Sequence, residues 1–103
     1  MNRRFLSLVA RVVLAFTAAH DATAGTLENV KARGFLQCGV NTGLPGFGNP
    51  DASGNYTGFD IDYCHAIAAA IFGDAGKVKF TPLDATQRFA ALQAGEVDVL
   101  IRN

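Results

Sequence analysis

Three glycines and a proline follow an apolar run where FLQCGV leads into NTGLPGFGN, Asn41 to Asn49. Glycine-rich turns after strands often cradle a phosphate. A dinucleotide fingerprint, however, needs G-x-G-x-x-G opening directly into a helix, whose N-terminus binds the pyrophosphate. Here the order is reversed, Gly43-x-x-Gly46-x-Gly48, and the next helical pattern starts only near Asp60. Pro45 and Pro50 remove amide donors that an anion nest would use, and no G-K-[ST] is present. The phosphate reading fails.

Catalytic constellations are equally thin. Asp60 and Asp62 stand two positions apart on a predicted helix and do not face each other, so they read as a helix cap and a solvated charge rather than an acid/base pair. His65 reads as a solvated mid-helix residue. Ser7 and Ser53 lie in no nucleophile elbow. Arg88 reads as a structural partner of Asp84, one turn earlier. Cys38 and Cys64, with only His65 beside them, match no zinc spacing, and no metal or other cofactor is expected. A disulfide and two buried thiols both remain open on this count.

The elements that must position these residues follow from periodicity. TLENVKARG reads as a short helix with Thr26 as N-cap and Gly34 at its end. FLQCGVN (35–41) reads as a strand buried on both faces, and a polar connection to Gly58 contains a short edge strand at Asn55-Tyr56-Thr57. Asp60 then caps a helix whose Ile61, Cys64, Ile67, Ala68 and Ile71 form one apolar stripe ending at Gly73. VKFTPL (78–83) is a second strand. A helix from Thr86 to Ala94 follows, with Phe89 and Leu92 inward, and VDVLI (97–101) is a third strand. Strand, helix, strand, helix, strand implies an α/β fold with a parallel sheet. Three strands are few for such a sheet, and the sequence reads as the start of a longer, incomplete lobe.

In an open sheet of this kind, ligands bind beyond the carboxyl ends of the strands. Asn41, Phe47, Thr86, Arg102 and Asn103 would gather there, a set suited to a small polar organic ligand. Nine basic and nine acidic residues leave no electrostatic footprint for nucleic acid. The charge is unevenly spread: Arg3, Arg4 and Arg11 against Asp21 leave +2 in residues 1–24 and −2 in the remainder. A basic start, the apolar FLSLVARVVLAFTAA and Ala22-Thr23-Ala24 before Gly25 make residues 1–24 a signal peptide. Residues 25–103 form the mature segment, placed in an oxidising, exported setting.

The runs GFDID (58–62) and RFAALQAGEVDVL (88–100), behind that leader, resemble the polar amino-acid family of periplasmic solute-binding proteins of ABC importers. CGVNTGLPGF, GFDIDYC, AAAIFGD and RFAALQAGEVDVLIRN look most like its general L-amino-acid-binding branch. The resemblance implies two hinged α/β lobes, residues 25–103 being the N-terminal part of the first. It implies a periplasmic monomer, not an enzyme, that passes an L-amino acid to an inner-membrane permease. Ligand contacts would fall to Asn41, Leu44 and Phe47 in the first loop, Ala85 and Thr86 in the second, and Arg102 and Asn103 after the third strand. Where relatives often carry an acid, Asn41 argues against direct pairing with the α-ammonium. The family's arginine for the α-carboxylate would lie past Asn103, so residues 1–103 alone are expected to bind weakly or not at all. The resemblance also packs the first strand against the long helix, letting Cys38 and Cys64 meet as a disulfide. Competing readings are a truncated, non-functional remnant, an enzyme on the same scaffold, such as a cyclohexadienyl or arogenate dehydratase, and a flavodoxin-like domain. The latter requires an acidic or phosphate-binding cluster that the sequence lacks.

Overall fold

The structure, a computed structural model, describes residues 25–103; the expected signal peptide of residues 1–24 lies outside the described residues. In chain order the elements are α1 (Thr26–Arg33), β1 (Leu36–Val40), β2 (Asn49–Pro50), β3 (Tyr56–Thr57), α2 (Phe59–Phe72), β4 (Val78–Pro82), α3 (Arg88–Gln93) and β5 (Val99–Leu100). β1 is central, paired in parallel with β4 on one side and β5 on the other, with Cys38 opposite Phe80 and opposite Val99. β2 and β3 form a small antiparallel hairpin. The parallel α/β start expected from the alternation is the fold observed.

β1 is buried on both faces because each receives a different layer. Cys38 and Val40 pack on Ile61 and Cys64 of α2, with Val78, Phe80, Val99 and Ile101 closing round them. The Cys38–Cys64 disulfide joins this strand to this helix, with Cα atoms 6.2 Å apart. On the other side, Leu83, Ala91 and Val97 cluster with Leu100. Gly39 faces that second cluster: a Cβ there would sit 3.0 Å from methyls of both Leu83 and Leu100. On this face the second cluster approaches the backbone closely because position 39 has no side chain.

Several expectations about helix ends and faces are overturned. Thr26 is not the N-cap of α1; Gly25 is, and its carbonyl accepts from Asn29 N–H at 3.1 Å. Asp60 is not the N-cap of α2, because Gly58 takes that position with no side-chain bond. The cap is instead made by the first loop, whose Gly46 and Phe47 carbonyls each accept at 3.0 Å from the N–H groups of Phe59 and Asp60. Two donors that open any helix unsatisfied are thus paired from outside it. α3 begins at Arg88 rather than Thr86, with Ala91 as its buried residue. Phe89 and Leu92 point outward, Phe89 being 60% exposed. A helix this short offers the second cluster only its alanine face. β5 is two residues long, although Asp98 N–H and Ile101 N–H continue its ladder to the carbonyls of Gln37 and Gly39, both at 2.9 Å.

Candidate functional site

The carboxyl ends of β1, β4 and β5 lie along one edge, where β1 has a neighbour on either side. Leu83 N–H donates to Val40 carbonyl (2.9 Å), so the chain leaving β4 starts beside the end of β1. Asn41, 9% exposed, joins the first loop to the last residues: its Nδ2 donates to Asn103 Oδ1 (3.2 Å) and its Oδ1 accepts from Gly43 N–H (3.1 Å). The glycine-rich stretch is not loose. Leu44 and Gly48 exchange two backbone bonds (2.8 and 3.0 Å) around a turn whose Gly46 has φ +85°, a left-handed conformation costly for side-chain-bearing residues. Since it presents carbonyls to the N-terminus of α2, this loop occupies the place a bound phosphate would need.

Beside it runs an open groove of about 440 Å³, lined by Phe47, Phe59, Asp60, Tyr63, Leu100, Ile101, Arg102 and Asn103. Phe59 and Tyr63, one turn apart on α2, meet edge to face at 5.0 Å between ring centres. Asp60 is 8% exposed and its Oδ2 has no hydrogen-bond partner among the described residues, so its side chain does not make the cap bond expected of it. Arg102 donates through Nη1 to Leu83 carbonyl and through Nε to Asn103 O at 3.2 Å.

The structure thus brings together Asn41, Phe47, Arg102 and Asn103, with Leu44 in the adjoining turn. Ala85 and Thr86 stand apart from that groove. Thr86 is exposed and its hydroxyl donates to Asp84 Oδ1 at 2.7 Å. It borders a different hollow, of about 480 Å³, with Leu83, Gln87 and the alanines of α3. Asp84 Oδ1 also accepts from Thr86 N–H and Gln87 N–H (2.9 and 2.8 Å). The Thr86 hydroxyl first, then the Gln87 amide and the more distant charge of Arg102, hold its carboxyl below the usual carboxylate range. Arg88 does not pair with this acid. It reaches past it, Nη1 donating to Asn103 O at 3.0 Å.

His65 is not simply solvated. Its Nδ1 donates to Ala75 carbonyl at 2.7 Å, which requires the Nδ1–H form, and its ring meets Phe80 edge-on at 5.4 Å. Sequence reasoning missed Phe59, Tyr63 and Arg88 at this edge. The four-residue spacing of the two rings was a readable signal. Arg88 carried none, since an acid one turn away offered it a nearer partner on paper. Among the described residues no cluster of three His, Cys, Asp or Glu could hold a metal ion, and no helix is long and apolar enough to cross a membrane.

Comparison with known proteins bears on what such an edge is for. Over all 103 residues the chain is 56% identical to the general L-amino acid-binding periplasmic protein AapJ of Rhizobium johnstonii, covering 30% of that protein. It is 58% identical over 92 residues, 89% of this chain and 27% of the relative, to the glutamate/glutamine/aspartate/asparagine-binding protein BztA of Rhodobacter capsulatus. A solved periplasmic binding protein of an ABC transporter from Brucella ovis, with glutathione bound, superposes with a TM-score of 0.75 at 69% identity. That superposition covers 78% of this chain and 25% of that one. The chain therefore spans about 30% of the length of the curated relatives it matches. Residues 36–103 match the family of bacterial extracellular solute-binding proteins, family 3, and the chain belongs to that family.

Proposed function

We propose that this chain forms the opening part of the first lobe of a periplasmic receptor that captures L-amino acids and delivers them to an ABC transporter permease. Residues 1–24 are its signal peptide and residues 25–103 its first ligand-facing wall. It acts as a monomer, by binding and release, with no covalent step. The observation that carries this reading is the shared edge beyond β1 and β5, where Asn41, Phe47, Arg102 and Asn103 stand together. Amide, ring and guanidinium offer hydrogen bonding, apolar cover and positive charge to a small zwitterion. Asn41 suits the role because it is buried and held by one bond on each amide atom, leaving one further N–H and one further oxygen lone pair for a ligand. Family membership and the names of the relatives support the same class of cargo, with a broad range of amino acids.

The test is calorimetric titration of the protein in the form the cell exports, with a panel of L-amino acids and their D-enantiomers. Saturable binding of several L-forms is expected, with D-forms weaker and every ligand recovered unchanged. Absence of binding across the panel, or recovery of a dehydrated or decarboxylated product, overturns the proposal.

A further inference from the structure

The first loop sits between two elements that a covalent bond holds together. Cys38 of β1 is bonded to Cys64 of α2, and Val40 and Ile61 belong to the same buried cluster, two residues further along the strand and one turn earlier on the helix. Gly48 comes next in that direction. A Cβ built on it would stand 3.6 Å from Asn41 N and 3.8 Å from Ile61 Cδ1, in ordinary contact with both walls. The loop has a foot on each element. On the strand side, Asn41 Oδ1 accepts from Gly43 N–H at 3.1 Å. On the helix side, the Gly46 and Phe47 carbonyls accept from the Phe59 and Asp60 N–H groups. Apolar packing alone does not fix such a gap, because it is non-directional and survives a slight slide of α2 along β1. A covalent tie between the two elements resists that slide. Neither cysteine lines the groove, so the bond acts on a ligand only through the loop.

We propose that Cys38 and Cys64 are positioning residues for the ligand: their disulfide sets the gap that seats the first loop, and with it the places of Asn41, Leu44 and Phe47. This rests on the amino-acid-binding reading and deepens it. A loop already held in its binding shape has less freedom to lose when ligand arrives, so affinity rises with no added contact. Stability and affinity are then separate consequences of one bond. The first follows from restraint of the unfolded chain, the second from a gap maintained in the folded one.

The test uses the whole receptor, the same panel of L-amino acids, and temperatures well below melting. By calorimetry, Cys38→Ala/Cys64→Ala weakens the L-amino acids that the unsubstituted receptor binds by about tenfold. In the ligand-free state, hydrogen exchange at the Phe59 and Asp60 amides quickens about tenfold relative to the Leu36 amide, which is bonded to Lys77 O at the opposite end of β1. Cys38→Val/Cys64→Ala, which refills part of the lost volume, gives the same two changes and serves should the double alanine variant fold poorly. Val30→Ala, a cavity in an element that lines no part of the groove, lowers the melting temperature but leaves affinity and the exchange ratio within about twofold. Unchanged affinity in the cysteine variants, or equal quickening of all three amides, overturns the positioning role and leaves the amino-acid reading standing. A loss of affinity in Val30→Ala as large as theirs also overturns it, since lowered stability would then explain both. Binding of no L-amino acid by the unsubstituted receptor overturns both.

Discussion

At the scale of single residues, the glycines around the first loop are not equivalent. Gly58 has φ +128° and ψ 178°, a region open essentially to glycine alone, and a Cβ there would lie 2.8 Å from the Phe47 backbone nitrogen. Gly58→Ala should therefore cost about 3 kcal/mol or more in urea unfolding. Gly43 has no such constraint, its nearest neighbour to an added Cβ being Asn49 Oδ1 at 3.6 Å. Gly43→Ala is expected to be neutral or stabilising by up to about 1 kcal/mol. A loss above that in the same assay would show that the loop needs freedom at 43. Asp84 carries the residue-scale pH dependence. Its folded carboxyl titrates below its unfolded one, so the stability it lends is present at neutral pH and lost as pH falls through the acid range beneath the usual carboxylate value. An NMR titration placing Asp84 at or above an unperturbed aspartate would contradict this. The sequence named Asn41 and Arg102 from their places after strands. It could not show that Arg88 bypasses Asp84, because local spacing offers partners without saying which backbone amides have already claimed them.

At the scale of elements, the termini were harder to read than the elements themselves. The stripe from Ile61 to Ile71 located α2, and Gly73, with φ +68°, ends it as expected. Its start was misread because an aspartate near a helix N-terminus suggests a cap, whereas the carbonyls that do the capping come from residues more than ten positions earlier. Phe89 was misplaced for a related reason. Apolar periodicity over a six-residue helix cannot tell a core face from a surface that awaits another covering. The disulfide between β1 and α2 gives a measurable element-scale consequence. Closing a loop of this separation should stabilise the fold by about 3.5 kcal/mol on the loop-entropy account. The double variant Cys38→Ala/Cys64→Ala should lose about that much in urea unfolding, with both ends buried and little rearrangement expected. A loss under about 1 kcal/mol would mean that packing of Ile61 and Val40 already holds the two elements together.

For the whole molecule, alternation of apolar runs and amphipathic stretches made the parallel α/β order legible, since such sheets bury their strands on both faces. Which strand is central was not legible, because pairing order lies in contacts between residues far apart in sequence. The groove at the carboxyl edge is broad and open, so residues 25–103 alone are expected to bind L-amino acids too weakly to saturate at millimolar concentration, whereas, on the proposed function, the whole receptor should melt higher as ligand is added. Micromolar binding by the isolated segment, followed by NMR shifts, would contradict the first expectation; a melting temperature indifferent to ligand would contradict the second. The central place of β1 has one more consequence. β1 leaves the ribosome first among the sheet strands, yet Leu36 must wait for Val78 and Gly39 for Leu100. Both pairings close long loops, and contacts of high sequence separation form slowly. During that interval an apolar strand with both edges bare is available to any other nascent chain. The sheet order thus leaves both edges of β1 unpaired until β4 and β5 have been made.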